Sequence, residues 1–181
     1  MNIRTKFFKD TFAAAAVEFA LVFPIFLTLF IGLYDLAYYI LLNNKMTRTS
    51  GTIAFIVSKQ DISDTALSSI LSNAFVIFKP FDFQTNGTII TSQIGLNSNN
   101  KMVVNWQKKV GAASSRIGSV GQPPSTLPGN LAIAGKQRLI VTEVFYNFTP
   151  FFTIGVLESK VLYSISIYPP RVGQMDTLIA S

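Results

Sequence analysis

Residues Ala13–Leu42 read AAAAVEFALVFPIFLTLFIGLYDLAYYILL. The stretch is thirty residues long and carries charge only at Glu18 and Asp35. An α-helix rising about 1.5 Å per residue needs only about 20 residues to cross a bilayer. Hydrocarbon offers no partner for backbone N–H and C=O groups, so the segment must pair them internally, which a helix does. Tyr34, Tyr38 and Tyr39 suit the far interface, where a ring lies in lipid and its hydroxyl in water. Pro24 cannot donate to the Ala20 carbonyl and predicts a bend. The reading is a transmembrane helix. A removable secretory signal is the rival, because Arg4, Lys6 and Lys9 precede the apolar run. The run is too long for one, however, and its small residues, Ala13 to Ala16, stand before the apolar part instead of after it. Lys45, Arg48 and Lys59 follow the run, so charge counting favours a cytoplasmic N-terminus only by a narrow margin.

Outward from this helix, composition narrows the field. The chain has 181 residues, 49% hydrophobic and 13% charged, with a mean hydropathy of +0.40. Its length allows one modest domain beside the membrane element. The net charge of +6 favours contact with anionic lipid or envelope polymers. Cysteine and histidine are both absent. Their absence excludes disulfides, thiolate or imidazole metal sites, Ser-His-Asp and Cys-His catalysis, and a histidine switch. No cofactor and no enzymatic activity are expected.

Glu18 stands out as a carboxylate at the head of an apolar helix. An ionised residue at the centre of a membrane helix costs about 2.5–3.5 kcal/mol on insertion scales. Near the helix start the cost is smaller, and the helix dipole favours a negative group there. Two readings follow: an interfacial carboxylate reaching headgroup water, or the partner of an amine supplied by another subunit. Asp35, among tyrosines near the outer interface, is expected to reach water.

The string Ala14-Ala15-Ala16-Val17-Glu18-Phe19-Ala20-Leu21-Val22-Phe23-Pro24 resembles the start of the TadE-like family, pseudopilins and minor pilins of tight-adherence (Flp, type IVc) pilus systems. The resemblance implies a basic leader over residues 1–13 and cleavage by a prepilin peptidase between Ala13 and Ala14. Glu18 then becomes the fifth mature residue. Ala13 departs from the glycine usual in the family. Glu143-Val144-Phe145-Tyr146-Asn147-Phe148-Thr149-Pro150 and Tyr168-Pro169-Pro170-Arg171 are similar to the family's closing segments. The region from about Gly51 to Gly135 has no match.

The resemblance further implies a bacterial inner-membrane protein with its N-terminus cytoplasmic and its C-terminal domain periplasmic. Its partners would be the peptidase, other pilins or pseudopilins, the inner-membrane assembly machinery and membrane lipid. Glu18 would attract the Ala14 amine of a neighbouring subunit, while helix faces built from Phe19, Leu21, Val22, Phe23 and Pro24, with Ile25, Phe26 and Leu29, pack together. Support of pilus assembly or initiation is the implied function. The alternative is an uncleaved, signal-anchored envelope protein that binds another partner through its outer domain.

Beyond the transmembrane helix, expected over 14–42, residues 43–181 read as a small extracytoplasmic α+β domain. Leu42, Met46, Ile53, Ile56 and Val57 recur near helical spacing, so the first helix continues, although Gly51 opposes it. Asp61-Ile62-Ser63-Asp64 offers caps for a second helix, with Ala66, Leu67, Ile70, Leu71 and Ala74 on one face and Lys79-Pro80 as its stop. The region 43–78 is thus helical, and 81–168 is mostly strand. Phe81 to Gln84 alternates, Asn86-Gly87 signals a tight turn, and Thr88 to Ile94 returns. Further strands are expected over Met102–Val110, Arg138–Phe148 and Lys160–Tyr168. The Gly-, Ser- and Pro-rich stretch Gly111–Gly135 reads as a mobile loop, either a contact surface or an insertion. The whole is a long N-terminal helix packed on an antiparallel sheet.

No catalytic pattern survives inspection. Gly129 to Lys136 lacks the glycine spacing and the Ser or Thr of a phosphate loop. Ser98-Asn99-Asn100-Lys101 has no companion motif. Six acids follow the membrane run, at Asp61, Asp64, Asp82, Glu143, Glu158 and Asp176, and their spacing suggests no paired site. Trp106 among Lys101, Lys108 and Lys109 fits a strand with solvated lysines better than a nucleic-acid platform.

Overall fold

The computed structural model describes residues 11–125, 127–131, 133, 137–152, 157–171 and 175–178. The leader expected over 1–13 lies outside them except for the helical backbone of its last three residues. In chain order the elements are α1 (Thr11–Ser58), α2 (Asp64–Ile77), the single turn α3 (Phe83–Asn86), β1 (Gly87–Leu96), β2 (Met102–Val110), β3 (Leu139–Phe148) and β4 (Lys160–Tyr168). A 3-10 turn at Pro128–Asn130 precedes β3. The fold is α+β. Two compact units divide the chain: Met1–Tyr39 with Pro150–Glu158, and Ile40–Thr149 with Ser159–Ser181.

In the second unit, α1 does not stop at Gly51. Leu42, Met46, Ile53, Ala54 and Val57 are buried along one side, whereas Ile56, expected with them, is partly exposed. A glycine costs a helix about 1 kcal/mol relative to alanine. Burial of Ile53 and Val57 beyond it contributes about 1.5–3 kcal/mol each, so packing wins. The Ser50 hydroxyl meets those of Ser164 at 3.2 Å and Ser166 at 2.8 Å, joining the helix to β4.

Helix α2 begins at Ser63, whose hydroxyl accepts from the Ala66 N–H at 3.2 Å. It buries Leu67, Leu71 and Ala74. That stripe is narrower than expected: Ala66 is exposed and Ile70 half-buried.

Residues 81–87 differ from the expected strand and hairpin turn. Asp82 caps α3 by accepting from the Thr85 N–H at 3.3 Å, and Gly87 opens β1 directly. The Phe83 ring stacks on Phe78, centroids 3.7 Å apart, and faces Tyr146 at 5.8 Å. Phe81 and Phe83 alternate in sequence because both enter the core, one on each side of the capping residue Asp82.

The four strands are antiparallel in the order β2-β1-β3-β4, with an irregularity in β2 opposite Gln93 and Ile94. One face carries Thr91, Thr142, Ser164 and Ser166 and receives α1 and α2; there Lys108 meets Asp64 at 2.7 Å. On the other face Ile94, Val104 and Val141 pack with Ile117, Leu127 and Ile133. Both faces being covered, central β1 is buried along nearly its whole length.

The stretch Gly111–Gly135 is loop, as expected, and its described residues form that second layer. Val104 donates to the Gln122 carbonyl at 3.1 Å and accepts from the Gly121 N–H at 2.8 Å, so the segment pairs with β2. Glycine and proline hide the pattern because the segment anchors itself by isolated apolar residues with no period.

Candidate functional site

Each sequence-derived site residue lies on the first-unit part of α1. Ala13 and Ala14 are in helical backbone from Thr11 onward. Glu18 is exposed one turn beyond Ala14 and, among the described residues, makes no ion pair. Phe19 and Leu21 are about two-thirds exposed, Val22 and Phe23 nearly half. Exposed apolar side chains continue through Ile25, Phe26, Leu27, Leu29 and Phe30, which at 100° per residue covers every side of the helix. The residues expected to pack against other subunits, Phe19, Leu21, Val22 and Phe23, are all among these exposed side chains. Pro24 is accommodated inside α1, and the Thr28 hydroxyl donates to its carbonyl at 2.8 Å. The one polar hydroxyl of this stretch is therefore satisfied within the helix, as hydrocarbon requires. Among the described residues, one helix is long and apolar enough to cross a membrane.

The same unit holds an arrangement that sequence reasoning missed. Asp35 does not reach water; it is buried, and its two carboxylate oxygens accept from the N–H groups of Phe151 at 3.0 Å and Phe152 at 3.1 Å. Tyr34 meets the Phe151 ring edge-on at 6.0 Å and the Phe152 ring at 6.4 Å. Leu27, Phe30, Ile31, Tyr34, Phe151 and Phe152 line a groove of about 460 Å³. Two signals were present: an acid inside an apolar run, and a proline before paired aromatics. Nothing in spacing joins residues 116 positions apart.

Glu143 and Asp176 of the second unit also hold structure together. Glu143, expected to stand singly on a strand, is fully buried. It accepts from the Ser115 hydroxyl, the Arg116 N–H at 3.0 Å and the Tyr163 hydroxyl at 3.0 Å. Arg116 lies over the Tyr163 ring at 4.4 Å. Burial and then the Glu143 charge push the Tyr163 hydroxyl well above its ordinary pKa. Asp176 receives bonds from Arg138, Gln93 and Asn105, and the Arg138 bond, ahead of opposing burial, holds its carboxyl below the usual range. Trp106 is buried and donates to the Met175 carbonyl at 2.8 Å, while Lys108 is paired with Asp64. Trp106 therefore offers no open ring face for a base. Among the described residues no three acids converge as a metal site would need.

With the exposed apolar helix and its lone leading acid in place, the family comparison is direct. Residues 13–54 match the family described as TadE-like protein. The matched span covers the Ala13–Ala14 pair, Glu18, the exposed apolar stretch and the start of the part of α1 that lies in the second unit. The match makes this part of the chain similar to a TadE-like, pilus-related domain, and the helix within it is long and apolar enough to cross a membrane. No curated protein and no solved structure matches the chain.

Proposed function

We propose that this chain is a pseudopilin or minor pilin of a tight-adherence pilus system, supporting pilus assembly or initiation. The observation that carries the reading is an apolar helix, exposed on all sides and led by Glu18, inside the TadE-like match. So much uncovered hydrocarbon surface is stable only in lipid or against other helices. The helix would anchor the chain in a bacterial inner membrane, N-terminus cytoplasmic and C-terminal domain periplasmic.

A prepilin peptidase removes residues 1–13 and leaves a free amine on Ala14. At about 1.5 Å rise per residue, Glu18 lies about 6 Å along the axis from that terminus. A neighbouring subunit displaced by roughly one turn therefore brings its own amine beside the carboxylate. At 4 Å such a pair is worth about 1 kcal/mol in water and about 4 kcal/mol at an effective dielectric near 20, so its value depends on lipid excluding water. Phe19, Leu21, Val22, Phe23 and Pro24 supply apolar contact between subunits, and other pilins and the inner-membrane machinery are the partners.

The decisive measurement is N-terminal sequencing of the membrane-extracted chain from cells with and without the peptidase. A peptidase-dependent start at Ala14 is expected, and Glu18→Ala should insert normally but lose assembly. An intact Met1 in both strains, or wild-type assembly by Glu18→Ala, refutes this reading. Retention of Met1 would instead support an uncleaved envelope anchor, the reading that Ala13 in place of glycine favours.

A further inference from the structure

The Asp35 carboxylate, the Phe151 and Phe152 N–H groups and the groove beneath them all belong to the first unit. We propose that the Phe151–Phe152 tip of the β3–β4 connection is itself seated in the bilayer, with lipid acyl chains in the groove and Asp35 as the clamp that allows its backbone to enter. The proposal rests on α1 crossing a membrane, as proposed above.

Three observations carry it. First, Phe151 is 73% exposed although it is a large apolar ring, and it adjoins α1 where exposed Leu27 and Phe30 already form an unbroken apolar surface. The tip thus continues the helix's lipid-facing surface. Second, irregular backbone is not tolerated in hydrocarbon unless its polar groups are paired. The two N–H groups at this tip are paired, each to a separate oxygen of one carboxylate. In water they would need no such partner. Third, none of the six side chains lining the groove is charged, and the one polar atom among them is the hydroxyl of Tyr34. Tyrosine sits with its ring in lipid and its hydroxyl in water, and it is the ring of Tyr34 that meets Phe151 and Phe152. Asp35 is a positioning residue here, trading its own exposure for two charge-assisted hydrogen bonds.

The chain contains no cysteine, so a single introduced cysteine is a unique label site. Phe151→Cys and Phe26→Cys variants of the full chain, each carrying an environment-sensitive fluorophore, are reconstituted in phosphatidylcholine–phosphatidylglycerol vesicles. Quenching is read with nitroxide-labelled lipid from within the bilayer and with iodide from water. Expected is strong lipid quenching and iodide protection at both positions. Lipid quenching at 26 with iodide quenching at 151 overturns the seated tip while the anchor stands. Iodide quenching at both overturns the anchor and the tip together. Protection from both quenchers at 151 marks a protein-covered face, a second copy being the candidate, and overturns lipid as occupant. Adding Asp35→Ala to Phe151→Cys should cut lipid quenching severalfold, and Asp35→Asn, which keeps one acceptor, should fall between. Unchanged quenching in both removes Asp35 from the proposal.

Discussion

Replacing Glu143 with alanine withdraws one buried acceptor from three donors at once. Ser115 and Arg116 come from the segment that covers the second face of the sheet, and Tyr163 from β4. Hydrogen bonds to a charged acceptor contribute about 1.5–3 kcal/mol each, so three set an upper bound near 9 kcal/mol. Removing the carboxylate also removes its own desolvation cost, which is several kcal/mol, but each donor left unpaired costs about 1–3 kcal/mol, so a net loss of about 3–5 kcal/mol is expected. Glu143→Gln is the sharper control. Its carbonyl oxygen keeps the Arg116 and Tyr163 donors, and its amide faces Ser115. The Ser115 hydroxyl already accepts from the Ile117 N–H at 3.1 Å and has a second lone pair free to accept. Three bonds survive in weaker, neutral form, so the loss should be about 1 kcal/mol. Urea unfolding of the full chain in detergent, followed by Trp106 emission, measures both. Amide exchange at Arg116 and Ile117 should accelerate in the alanine variant alone. The reasoning is refuted if alanine and glutamine cost the same, or if alanine lies within about 1 kcal/mol of wild type.

Two pH effects follow from the same structure. The Arg138 bond depresses the Asp176 carboxyl, so its stabilising contribution is present above about pH 4 and is lost as acid titrates it below that. Emission from Trp106, the single tryptophan, should shift red on that acidification because its Nε1 donates to Met175 next door, and Asp176→Asn should produce the shift at neutral pH. An acid-insensitive Trp106 contradicts this. Tyr163 has the opposite sign: its raised pKa means stability is fully present below about pH 10 and falls as pH rises further. Ultraviolet difference absorbance of wild type against Tyr163→Phe should show a tyrosine ionising above the ordinary range, and Tyr163→Phe should flatten the alkaline loss; an unchanged alkaline slope would refute it.

Residues 13–42 declare themselves because being long and apolar enough to cross a membrane is a local property. Length and apolarity decide it without reference to any other segment. The caps and stripe of α2 and the strands over 102–110 and 160–168 were legible for the same reason: each period is written within a dozen residues. Glu18 was equally visible, as an acid where an apolar helix starts. The partner proposed for it, the Ala14 amine of a neighbouring subunit, came from the family resemblance and not from any period in the chain. Phe81–Asn86 misled because a capped turn and a strand bury alternate rings alike, and only contact with Phe78 and Tyr146 separates them.

From the sequence alone came a helix long and apolar enough to cross a membrane, an α+β region after it and the absence of histidine and cysteine. Tertiary structure decided what the buried acids do. Asp35 meets residues 116 positions away, and Glu143 gathers donors from two segments at least 20 positions off. It also set Ile117, Leu127 and Ile133 of the Gly- and Pro-rich stretch against the second face of the sheet. Such contacts are set by how covered surfaces meet across long chain separations, and no local period encodes them.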